Sequence, residues 1–276
     1  MRETQILPLV VIALVAALVS VVAMWSMDRA GQGGDLTNTV RGTDAFIEWK
    51  LVTTWPKGLP GLGAAPENFA RRVNEASGGR LRIKVFGAGE IVPPFEVFDA
   101  VSRRVAEAGH GASYYWKGKI PAAVFYTAVP FGMTAQEANG WLHYGGGLAL
   151  WRELYAPFGV VPFAGGSTGV QMAGWFNKRL NSREDLAGLK MRIPGLAGEV
   201  FDAAGGSAVR IAGGEVYTSM QTGVIDAVEW VGPYNDRTLG LMEVGDYYYY
   251  PGWHEPGAMI EIIVNEQALA AIPEDL

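Results

Sequence analysis

Two glutamates, Glu229 and Glu255, stand among bulky apolar and aromatic residues in the stretch from Val224 to Gly257, VIDAVEWVGPYNDRTLGLMEVGDYYYYPGWHEPG. If Val224 to Val231 is a strand, Ile225, Ala227, Glu229 and Val231 share one face, which is apolar except for the carboxylate. An unpaired buried carboxylate is costly, so it neutralises, pairs or binds a cation. Glu255 follows four consecutive tyrosines in G-W-H-E-P-G, where proline and glycine set a turn. Both acids therefore read as loop-edge groups facing a cleft. The alternative is two solvated acids, or ordinary partners of nearby Arg or Lys.

Arg192 adds the opposite charge. In Leu189-Lys-Met-Arg-Ile-Pro-Gly it shares a strand face with Lys190, and Pro194 and Gly195 end the strand just beyond it. A guanidinium held there can grip a carboxylate in a bidentate pair, although a solvated arginine fits the spacing equally well. The cluster Tyr114, Tyr115, Trp116 closes a predicted strand, Ala108 to Trp116. Ligands of open α/β sheets bind beyond such strand ends, and a plain core or interface role is the alternative. The three histidines, His110, His143 and His254, are far apart and read as structural.

Other chemistries lack their signatures. There is no Walker A loop, GxGxxG, HExxH or GxSxG pattern, and Gly145-Gly-Gly lacks the lysine of a phosphate loop. Cysteine is absent, which excludes disulfides, thiolate metal sites and a cysteine nucleophile. A net charge of −6 with no basic run excludes the electrostatic footprint of nucleic-acid binding.

The elements that must position these groups alternate. Ile47 to Trp55 and Leu81 to Phe86 read as strands, and Pro66 to Ala76 as the helix between them, ended by Gly78-Gly79. Pro94 to Ala106 has helical spacing. Thr134 to Phe158 reads as one or two helices opened by a Thr134/Glu137 capping box. Further strands are predicted over 160–169, 171–177 and 258–265, with short helices opening at Ser182 and spanning 198–204 and 215–222. At the start of the chain, Ile6 to Met27 carries no charge and enters the membrane. Its length suits an uncleaved anchor and Val21-Val22-Ala23 suits a cleavage site. A polar, glycine-rich tether follows.

Several runs resemble one family: WKLVTTWP, FDAV, GHGASYYWKGK, AVPFGM, TGVQMAGWFNK, LKMRIPG, GGEVYTSMQTGVIDAVEWVGPYND and YYYYPGWHEPG. From about Phe46 to Leu276 the chain is similar to the extracytoplasmic solute-binding proteins of tripartite ATP-independent periplasmic (TRAP) transporters. It looks most like the branch that binds small 2-oxo or 2-hydroxy monocarboxylates with a metal cation. The resemblance implies that Arg192 pairs with the substrate carboxylate, that Gln171, Glu229, the Trp230 carbonyl and Glu255 surround sodium or calcium, and that Asn235 lines the cleft. Gln171, Trp230 and Tyr115 are expected at the substrate as well. An oxygen-rich donor set suits such a hard cation. Relatives of this kind continue for several helices beyond the segment that ends here at Leu276.

The expected fold is periplasmic-binding-protein-like: two α/β domains with the ligand cleft between them. Domain I takes residues 46–169 and 255–276, domain II 170–254; 1–27 is a signal peptide or membrane anchor and 28–45 a linker. The expected function is capture of a small organic acid in the periplasm and delivery to TRAP permease subunits, with membrane contact through the N-terminus if it is uncleaved. A sensory ligand-binding module is the alternative. An enzyme using the paired carboxylates is the rival from another class, weakened by the missing nucleophile and cofactor motifs.

Overall fold

The run Met259–Asn265 is buried at all seven positions, so both of its faces must be covered. In a computed structural model, which describes residues 46–276, it is an inner strand of a five-stranded sheet. There β1 (Ile47–Thr53) lies parallel to β2 (Leu81–Phe86) and to β3 (Ala108–Gly111). The run itself, β10, is antiparallel to β3 and to β4 (Val160–Ser167). The second sheet comprises β5 (Gly174–Phe176), β6 (Lys190–Arg192), β7 (Ser207–Val209), β8 (Ala227–Val228) and β9 (Tyr247–Tyr249). Its order is β7-β6-β8-β5-β9, parallel across β7-β6-β8 and antiparallel across β8-β5-β9. Both sheets are thus mixed α/β, as the sequence predicts.

Helix α1 (Ala64–Ala76) lays Phe69 and Val73 on the first sheet against Trp49, Leu51 and Ile262. The other face of that sheet joins a larger apolar cluster that runs through Tyr115 and Trp116 to Val228 and Trp230 of the second sheet region. The predicted capping box is present: Thr134 opens α3 (Ala135–Tyr144), following α2 (Val97–Ser102). The glycine run then breaks the helix, because Gly146 takes φ 84° before α4 (Gly147–Tyr155).

Several predicted elements are shorter than expected; the strand read over 171–177, for one, spans only Gly174–Phe176. The helix read over 94–106 ends at Ser102, and Arg104 turns the chain with φ 58°. The strand read over 108–116 stops at Gly111. Ser113–Trp116 is instead a 3₁₀ turn that buries all of its side chains, whereas a strand would send alternate ones to opposite faces. The strand read over 224–231 pairs only at Ala227 and Val228. Beyond it the Val231 and Gly232 amides turn to the Asp236 carboxylate at 3.2 and 2.9 Å. The alternation was still informative, since Ile225, Ala227 and Glu229 are all fully buried.

Residues 1–45, which carry the predicted membrane segment and tether, lie outside the described residues. Among the described residues no helix is long and apolar enough to cross a membrane.

Candidate functional site

The segment Gln171–Ala173, just before β5, holds the two acidic stretches apart and in register. The Met172 amide donates to the Val231 carbonyl at 2.9 Å, the Ala173 amide to Tyr249 at 2.9 Å, and the Gln171 amide to Glu255 at 3.2 Å. Glu229 therefore arrives from one side and Glu255 from the other. Gly252 makes this possible: a Cβ there would stand 2.1 Å from the Gln171 carbonyl oxygen, so a side chain would push the 250–255 turn away. Arg192 comes from the end of β6, and Tyr115 from the aromatic turn after β3.

These groups are almost wholly withdrawn from water: Arg192 is 1% exposed, Glu229 0%, Glu255 2%, and Gln171 4%. Lys190, on the same strand face as Arg192, is exposed. The Arg192 Nη1 donates to the Glu229 carboxylate and, at 2.9 Å, to the Glu229 main-chain carbonyl. Its Nη2 donates to the Tyr115 hydroxyl at 3.1 Å and its Nε to the Ile211 carbonyl at 3.2 Å, while the guanidinium lies 4.8 Å from the centre of the Trp230 ring. Glu229 is thus an arginine partner, as the plainer sequence reading allowed. The guanidinium expected to face a substrate carboxylate is already engaged.

Electrostatics follow from this packing. Burial alone would lower the Arg192 pKa, but Glu229, Tyr115, Tyr114 and Glu255 together more than offset it and the value ends above that of an ordinary arginine. His254 Nε2 meets the second Glu229 oxygen at 3.1 Å; burial works against its protonation, yet the Glu229 hydrogen bond and charge raise its pKa overall. Glu255 is pushed up to about 8, first by burial and then by Glu229. Gln171 Nε2 donates to Glu255 at 2.7 Å and to Thr168 Oγ1 at 3.1 Å.

Several buried polar atoms here have no hydrogen-bond partner among the described residues: Gln171 Oε1, Trp230 Nε1, Asn235 Oδ1 and His254 Nδ1. Native interiors rarely leave such atoms unmet. The carboxylate oxygens of Glu229 and Glu255 and a ring nitrogen of His254 lie within 4.8 Å of one another. With the unpartnered Gln171 carbonyl oxygen they make a mainly oxygen donor set that fits a hard cation such as sodium or calcium. His254 Nε2 is engaged with Glu229, while its Nδ1 stays unpartnered among the described residues.

The structure brings Tyr115, Gln171, Arg192, Trp230 and Glu255 to one small void of about 10 Å³, with Glu229 directly behind Arg192. Asn235 instead lines a separate cavity next door. Sequence reasoning missed His254 as a member of the cluster, although it is the immediate neighbour of Glu255. It also missed Trp55, whose ring centre lies 6.0 Å from Tyr115 and 6.1 Å from Trp230. Trp55 carried no signal, because its partners lie far along the chain.

Residues 51–276 match the family model DctP, bacterial extracellular solute-binding protein, family 7. A monocarboxylate 2-oxoacid-binding periplasmic protein of Nostoc sp. is 47% identical over 239 residues, which are 87% of this chain and 65% of that protein's length. The fold is similar to a TRAP periplasmic solute-binding protein of Pseudoalteromonas atlantica with bound sodium and pyruvate: TM-score 0.81, 46% identity, covering 83% of this chain and 70% of the other. A counterpart from Colwellia psychrerythraea with bound calcium and pyruvate gives TM-score 0.80, 46% identity and the same two coverages.

Proposed function

Because the chain belongs to family 7 of the bacterial extracellular solute-binding proteins, we propose that it captures a small 2-oxo or 2-hydroxy monocarboxylate together with sodium or calcium and delivers it to the permease subunits of a TRAP transporter. The observation that carries this reading is the convergence of buried Glu255, Arg192 and the unpartnered Gln171 carbonyl oxygen on one void, with buried Glu229 against the arginine. Relatives that hold pyruvate with sodium or calcium support it, and the Nostoc relative is a periplasmic 2-oxoacid binder. Capture takes place in the periplasm.

Each residue has a part. Gln171, Glu229, Glu255 and the Trp230 carbonyl hold the cation, which offsets the negative charge that a bound carboxylate adds to the two glutamates. Arg192 exchanges part of its contact with Glu229 for the substrate carboxylate, and Tyr115 and Trp230 orient it from either side. Residues 46–169 with 255–276 form one domain and 170–254 the other. They close on the ligand by a hinge, as periplasmic binders do. Binding and not turnover is the activity, since the arginine, the acids and the cation serve to neutralise and orient a carboxylate.

The test is a set of pyruvate titrations into chelator-treated protein, alone and with sodium or calcium restored. Substrate affinity rises when the proper cation returns, and by linkage pyruvate tightens cation binding by the same factor. Equal affinity in all three titrations would remove the cation from the mechanism.

A further inference from the structure

The cavity beside the acid cluster has a volume of about 310 Å³ and shares Leu62, Thr168, Val231 and Ile260 with the lining of the 10 Å³ void. At about 30 Å³ per liquid water, the larger space matches roughly ten waters, while the void barely admits one. A ligand held at Arg192 therefore has room to extend in one direction, past these four side chains.

Two buried polar side chains line that space. His110 is 1% exposed, and its Nδ1 accepts from Trp55 Nε1 at 2.8 Å. An indole N–H can only donate, so the proton of the neutral imidazole sits on Nε2. The ring stays neutral, because burial pushes its pKa down to about 4, with the Gly165 backbone offsetting only part of this. Nε2 has only the Gly165 backbone beside it, short of hydrogen-bond geometry, and Asn235 Oδ1, whose residue is 5% exposed, has no partner among the described residues. The cavity thus presents one fixed donor and one carboxamide. The rest of its wall is glycine, aliphatic, hydroxyl and tyrosine, with no Lys, Arg, Asp or Glu among the described lining residues.

We propose that this cavity is the subsite for the far end of the bound acid, and that His110 and Asn235 select an uncharged polar tip, a hydroxyl or carbonyl, on a chain several carbons long. The inference rests on the carboxylate-binding function above and narrows its substrate class. A second carboxylate would meet no cation among the described lining residues, which is unfavourable. An alkyl tip would leave two buried polar atoms unpaired, and sites built to hydrogen-bond a substrate reject analogues that lack the group. Pyruvate would leave the cavity unfilled.

Calorimetry on the full chain with calcium or sodium present decides the matter with four acids: pyruvate, 2-oxopentanoate, 5-hydroxy-2-oxopentanoate and 2-oxoglutarate. The hydroxy acid is expected to bind at least about tenfold more tightly than 2-oxopentanoate, with pyruvate weaker than the hydroxy acid and 2-oxoglutarate weakest. Pyruvate or 2-oxopentanoate matching the hydroxy acid would overturn the subsite while leaving carboxylate capture standing. Tightest binding of 2-oxoglutarate would overturn the uncharged tip. If none of the four binds, the carboxylate function falls and this inference with it. In His110→Phe the ratio of hydroxy-acid to 2-oxopentanoate affinity should fall to near one. Asn235→Leu reads the same ratio without touching the Trp55 bond, in case the histidine variant does not fold. An unchanged ratio in a folded variant of each residue would also overturn the assignment.

Discussion

Glu261 and the pair Glu229 and Glu255 are all carboxylates hidden from water, yet they differ in what surrounds them. Glu261, in the middle of β10, is 0% exposed; one oxygen accepts from Trp116 Nε1 and the other from Tyr155 OH at 3.0 Å. Both partners are neutral, and burial pushes this acid up to about 8 despite those two bonds. Glu229 faces Arg192 and His254, and Glu255 faces Gln171, with unpartnered polar atoms on Gln171 and His254 beside them. Burial of an acid therefore does not mark a binding site. Unused hydrogen-bonding capacity in its neighbours does, because that capacity is what a ligand can satisfy.

The sharpest way to break this contrast is Arg192→Ala. It leaves Glu229 buried with His254 alone, and loss of one partner of a buried ion pair costs about 3–5 kcal/mol. Urea unfolding should show a loss of that size, and calorimetry at least about a thirty-fold loss of pyruvate affinity. A stability change below about 1 kcal/mol would place the pair in the range of exposed ones.

Next in size is Glu261→Gln, read against pH. The folded protein holds the Glu261 proton up to about pH 8, whereas an unfolded chain releases it near 4.5, the ordinary value for a glutamate. The stability tied to this proton is fully present below the unfolded value and is lost as pH rises through the window to about 8. The glutamine cannot ionise, and it can accept from Trp116 while donating to the Tyr155 oxygen. The variant should therefore gain on the parent by about 1 kcal/mol or more between pH 5 and pH 8, or a few degrees in Tm at this chain length. Parallel Tm–pH curves for the two proteins would show that Glu261 is ionised in the fold. The smallest effect is expected for Tyr155→Phe, which removes one neutral donor and should cost about 1–2 kcal/mol, measured by the same unfolding assay at pH 5. No loss would mean that Trp116 alone satisfies Glu261.

Much of this was legible because periodicity reports burial. The alternation around Glu229 placed Ile225, Ala227 and the acid on one buried face, and Leu81–Phe86 and the Thr134 cap were read to the residue. What periodicity cannot report is how far a hydrogen-bond ladder runs. The Ala108 strand stops where three aromatics must all turn into one core, and the 227–228 pairing stops where Asp236 takes the next amides. Nor does it report partners distant in the chain. Arg192 was visible at a strand end, but its engagement by Glu229 was not, and Glu261 was passed over because Trp116 is 145 residues away. His110 read as structural for the same reason: its bond to Trp55 spans 55 residues.

Tyr115 receives two arginines from the second sheet region, Arg192 on its hydroxyl and Arg210 on its main-chain carbonyl at 2.6 Å. Tyr115 itself follows β3 of the first sheet, so any motion that parts the two sheets must break both bonds. One of those bonds belongs to the residue assigned to the cargo. Under the proposed function, opening and release are then tied together in time, and the lifetime of the closed form sets how long a captured molecule stays aboard.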